Sequence, residues 1–102
     1  MKNGYQYRIE VRPVPVQDEA PSPAPLVFRH ANHDDLMLIV ERIRQSTGLD
    51  PDSAASMAIG LKLLGSVMLS EKNNPLFDCM RLPMREFIGN LKALAPPIGT
   101  SG

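Results

Sequence analysis

Tryptophan is absent from this 102-residue chain, and two tyrosines and three phenylalanines are its only aromatic side chains. A core must therefore be built from aliphatic residues and the six methionines. Cys79 is the single cysteine, which excludes an intramolecular disulfide and any Cys-x-x-Cys metal or redox motif. Net charge is missing as well, because eleven basic residues cancel eleven acidic ones. Divided after Pro51, the halves carry six basic against seven acidic residues and five against four. Neither half presents the field that holds a phosphate backbone, so nucleic acid is not an expected partner. The most apolar run, Ala54 to Leu69, is shorter than a membrane-crossing helix and has Lys62 at its middle. Met1 to Arg12 alternates and is charged, unlike a signal peptide. The cytoplasm is the expected compartment, with no membrane contact.

What is present suits one globular unit. Hydrophobic residues make up 43% of the chain, and the length fits a single core. The expectation is an α+β fold over residues 1–95, an N-terminal antiparallel two-stranded β-hairpin followed by three to four α-helices, with residues 96–102 as a disordered tail. Tyr5 to Val14 alternates, Tyr5, Tyr7, Ile9 and Val11 on one face and Gln6, Arg8, Glu10 and Arg12 on the other. Residues 13–25 hold five prolines and predict a flexible loop. Leu26 to Ala31 is the second strand, with Leu26 and Phe28 inward.

Asn32 or His33 is expected to cap the first helix, with Asp34 and Asp35 in its first turn. Leu36, Ile39, Val40 and Ile43 then form a buried stripe that leaves Leu38 outside, and Gly48 ends the helix. Asp50-Pro51 opens a second helix, apolar on nearly every side and expected to be the buried centre of the core. Its Gly60 and Gly65 predict close approach of a neighbouring element. Asn74-Pro75 starts a third helical segment, and Pro83 predicts a break or kink near Arg81 and Leu82. Met84, Phe87, Ile88, Leu91 and Leu94 continue the helical pattern beyond it.

The runs Tyr7-Arg8-Ile9-Glu10-Val11, Asn32-His33-Asp34-Asp35-Leu36, Ile39-Val40-Glu41-Arg42-Ile43-Arg44, Ala58-Ile59-Gly60-Leu61-Lys62-Leu63-Leu64, Asn74-Pro75-Leu76-Phe77 and Arg85-Glu86-Phe87 resemble the bacterial family catalogued as Domain of Unknown Function 3861. The resemblance covers the chain outside the proline-rich loop and the tail. It implies a small bacterial α+β protein and brings no catalytic residues to carry over.

His30, His33, Asp34 and Asp35 are the one cluster of metal-ligand types, although helix capping is the preferred reading of the aspartates. Cys79 lies in an apolar segment and is expected to be a buried structural thiol. A helix-turn-helix over Leu36 to Leu69 is a poor match, because the second helix offers only Lys62 along its middle. Leu38, Arg8, Arg12 and Arg29 are the candidate interaction surface. No cofactor is expected. The chain is expected to act without catalysis, as a homodimeric protein-interaction or regulatory module. The alternative is a small-molecule or metal-binding protein, or an enzyme, built on the histidine-aspartate cluster.

Overall fold

The alternating N-terminal residues form strand β1 (Tyr5–Val11), which pairs antiparallel with β2 (Leu26–Asn32) in a two-stranded sheet. The computed structural model describes residues 4–15 and 24–94. Most of the expected proline-rich loop and the expected tail therefore lie outside the described residues. Those described fall into two compact units, one ending at Asp34 and one beginning at Asp35. The family of secondary structures is α+β, with three α-helices and one 3-10 turn after the sheet.

In the first unit, Tyr5 faces Asn32, Tyr7 faces His30, Ile9 faces Phe28 and Val11 faces Leu26. Opposed residues of an antiparallel pair share a face. Leu26 and Phe28 thus join the tyrosine face, but both are exposed, so the inward placement expected of them is corrected. The opposite face carries Gln6, Arg8 and Glu10 against Ala31, Arg29 and Val27. Tyr7, Ile9 and His30 are half-buried, whereas Tyr5, Val11, Leu26 and Phe28 stay exposed.

The second unit begins with α1 (Leu36–Thr47). Its cap is Asp35 itself, not Asn32 or His33, and no acidic residue occupies the first turn. Asp35 has extended backbone, and its carboxylate accepts from the Met37 and Leu38 N–H groups at 3.1 and 3.4 Å. Such a cap contributes about 1 kcal/mol. Gly48 closes α1 in the left-handed conformation, φ 76°, which glycine adopts without a Cβ penalty.

Only Gly48, Leu49 and Asp50 separate α1 from α2 (Pro51–Ser70). Asp50 caps α2 by accepting from the Asp52 and Ser53 N–H groups, and Pro51 occupies the first turn. The helix runs for 20 residues from the expected start at Pro51, and the whole of it, unlike the shorter apolar run Ala54 to Leu69, is by length and composition apolar enough to cross a membrane. α1 packs along one side of it. The burial expected of α2 is met in part: Ala54, Ala58 and Met68 are buried, and Ala55, Met57, Ile59, Leu61, Leu63 and Gly65 are half-buried. Leu64, Val67 and Leu69 are exposed, on the outer side of a helix that is apolar all round. The close approach expected at Gly60 and Gly65 is also absent. A Cβ built at either position meets nothing within 4 Å.

Asn74 caps a 3-10 turn (Pro75–Phe77) by accepting from Leu76 N–H at 3.0 Å. The turn runs into α3 (Asp78–Leu94), which also packs against α1. α3 passes through Pro83 as one helix, so of the break or kink expected near Arg81 and Leu82 the break does not occur. Proline there removes one N–H and crowds the Cys79 carbonyl. Phe77, Arg81, Met84, Ile88 and Leu91, the covered positions, nonetheless keep one helical phase across it. Burial on both sides of Pro83 thus favours a continuous helix. Cys79 falls between those positions and is exposed, so the expected buried thiol is corrected.

Candidate functional site

Two groups of polar side chains occupy opposite faces of the sheet. On the tyrosine face, His30 and Asn32 stand one pleat repeat apart on β2, opposite Tyr7 and Tyr5. The tyrosine rings stack with centroids 6.4 Å apart and planes 20° from parallel. Past the strand end, the Asp34 N–H donates to Asn32 Oδ1 at 3.0 Å, and the Tyr7 hydroxyl donates to the Asp34 carbonyl at 3.4 Å. The Asp34 amide thereby sets the orientation of the Asn32 side chain, since only the amide oxygen accepts. Asn32 Nδ2 then points at His30 Nε2, 3.1 Å away. Nε2 must act as acceptor, which places the ring proton of neutral His30 on Nδ1.

This arrangement joins strand end to turn, and it engages one of the nitrogens His30 would offer a metal. His33 is exposed, and Asp35 spends its carboxylate on capping α1. Among the described residues, no three His, Cys, Asp or Glu side chains come together as metal ligands. Asn32 and Tyr7 are the members of this cluster that sequence reasoning missed. The cross-strand register that assembles them depends on the turn between the strands, which carries no register signal of its own.

The other face gathers three of the four candidate interaction residues. Glu10 lies between Arg8 and Arg12 on the same strand face. Its carboxylate pairs with Arg8 at 3.8 Å and accepts from Arg12 Nε at 3.0 Å. Arg29 stands directly across from Arg8. Like charges so opposed repel, and the one carboxylate of this face sits diagonally from Arg29. The fourth candidate, Leu38, is exposed on α1 beside exposed Met37. An apolar row on α3 joins these in character, since Leu76, Met80, Phe87 and Leu94 are exposed at helical spacings of four, seven and seven. A shallow depression open to solvent is lined by Ser70, Glu71, Lys72, Asn73 and Asn74 at the end of α2.

Among the described residues, a two-stranded sheet followed by an αα-hairpin and a third helix makes this a small α+β protein. The family described as a Domain of Unknown Function with solved structure, DUF3861, matches residues 5–93, and the chain belongs to it. A crystal structure of a protein of unknown function from Pectobacterium atrosepticum is similar at 31% identity and a TM-score of 0.75, covering 88% of this chain and 98% of that one. No match was found among curated proteins.

Proposed function

We propose that this protein is a non-catalytic, homodimeric protein-interaction or regulatory module of the bacterial cytoplasm. The observation that carries this reading is the balance of apolar surface. Among the described residues, five apolar side chains are buried and seventeen large ones are exposed. Scattered single apolar residues on a surface are ordinary. Here they form rows, on the tyrosine face of the sheet and along α3, and contiguous exposed apolar surface marks an interaction site. Leu38 and Met37 add to it on α1. Balanced charge and the absence of a ligand cluster among the described residues favour contact with protein over contact with polyanions or metal.

Sedimentation equilibrium of the native chain tests the first part. A dimer that persists to low micromolar concentration supports the reading, and a monomer at high micromolar concentration overturns it. The second part is tested by affinity capture from the native cytosol, with Leu76→Asp and Phe87→Asp as controls. A partner retained by the native chain and lost by both variants is the expected result.

A further inference from the structure

We infer that β1 is the edge through which two copies associate, pairing antiparallel about a two-fold axis at Ile9 so that Arg8 of each lies opposite Glu10 of the other. The proposal rests on the dimer reading above and names its surface. Among the described residues the sheet has two strands, so β1 has one strand neighbour and presents an edge. An edge strand offers a row of backbone donors and acceptors to another chain. A two-stranded sheet is marginal alone, and a four-stranded one in the order β2-β1-β1-β2 is not.

Charge and strand length together select the register, since an axis at Val11 also opposes Glu10 and the partner's Arg12 but falls on the last residue of β1. Faces stay matched across an antiparallel two-fold only when the axis passes through a residue. An axis at Arg8 sets that arginine against its own copy. An axis at Glu10 opposes the two glutamates and sets Arg8 against the partner's Arg12. With the axis at Ile9, Arg8 meets the partner's Glu10, Glu10 meets the partner's Arg8, and Gln6 meets the partner's Arg12. Tyr7 then lies beside the partner's Val11, and Ile9 beside the partner's Ile9. The apolar face continues across the axis from Phe28 through both isoleucines to the partner's Phe28.

The same register addresses the repulsion within each copy. Arg8 is opposite Arg29 in its own sheet. The second strand gives Arg8 a carboxylate on its other side. The edge of β2 has no equivalent, because Arg29 is its one arginine and no acidic residue lies within the strand. An axis at Arg29 opposes two arginines, and its neighbours set Arg29 against Val27 or Ala31.

The test uses the full chain and two charge reversals, R8E and E10R, followed by sedimentation velocity across a concentration series. Circular dichroism checks that each variant folds. Each reversal places like charges opposite one another at both symmetric pairs, so each alone should weaken self-association by about tenfold or more. Mixed together, R8E and E10R should form a heterodimer. The introduced glutamate of one chain then meets the introduced arginine of the other, and the native Glu10 of the first meets the native Arg8 of the second. In a Cys79→Ser background, Ile9→Cys should give a disulfide-linked dimer on mild oxidation, and Arg8→Cys should not. A native dimer whose affinity both reversals leave unchanged, with no preference for the mixture, overturns β1 pairing and leaves the dimer reading standing on a helical surface. A native monomer overturns both.

Discussion

Arg81 reaches back thirteen residues and donates to the Met68 carbonyl at 3.2 Å, closing the C-terminus of α2 from the first turns of α3. Its second amino group donates to the Glu71 carbonyl at 2.9 Å, and its guanidinium carbon lies 6.0 Å from the centre of the Phe77 ring. The last carbonyls of a helix lack partners within it, and a cation there also answers the negative end of the dipole. Arg81→Met keeps the apolar stem and removes the donors. It should cost about 1–2 kcal/mol in urea unfolding, within the range for hydrogen bonds to charged groups. A variant as stable as the native chain would show that the bridge adds nothing.

Pro83 gives the opposite expectation. It sits inside α3, with its missing N–H opposite the Cys79 carbonyl. Pro83→Ala restores that bond at an exposed position and should stabilise the protein by about 1–3 kcal/mol. Thermal unfolding checks it. A lowered midpoint would mean that the surrounding packing depends on the proline.

Gly60 is exposed within α2, and a Cβ there meets nothing within 4 Å. Gly60→Ala should raise stability by about 1 kcal/mol through backbone entropy alone. Under β1 pairing, dimer affinity should stay unchanged in the same variant. Dissociation on adding one methyl group would place an intermolecular contact at α2 instead.

Asp50 carries the pH-dependent cap. The Ser53 hydroxyl first, then the Ser53 and Asp52 N–H groups, stabilise its carboxylate and hold its pKa below the ordinary 3.8 against a weaker opposing effect of desolvation. A carboxyl whose folded pKa is depressed stabilises the fold above its unfolded value and loses that contribution as pH falls through the folded value. The contribution should therefore be complete above pH 3.8 and fade below it. An NMR titration should place the Asp50 midpoint below 3.8, and Asp50→Asn should flatten this part of the acid-unfolding curve. A midpoint at or above 3.8 contradicts the cap geometry.

Local chemistry is the legible part of this sequence. Asp50-Pro51, Asn74-Pro75 and Gly48 mark helix ends through interactions spanning three or four residues, and each lies where its local chemistry dictates. The two strand faces are equally plain, since alternation needs no knowledge of the partner. The features that the sequence misrepresents depend on distant packing. Pro83 predicts a break in a helix that continues along a face covered on both sides of it. Gly60 suggests a neighbour that does not approach, and the apolarity of α2 suggests burial that its outer side does not receive. Asp35, the residue directly before α1, is the cap in place of Asn32, whose oxygen accepts from the Asp34 amide. The tyrosine–histidine–asparagine cluster depends on a cross-strand register that no single segment encodes.

The short joint Gly48–Asp50 governs the order in which the chain assembles. Bringing α1 onto α2 closes a loop of three residues, whereas joining β1 to β2 requires the ends of residues 12–25 to meet. Loop-closure entropy rises with length, and pairings distant in sequence are slow relative to local ones. The αα-hairpin therefore forms first, with its stop and start signals already written on either side of Leu49. On loop-closure grounds the sheet is the later pairing, so an open strand edge is the expected feature of a partly folded chain.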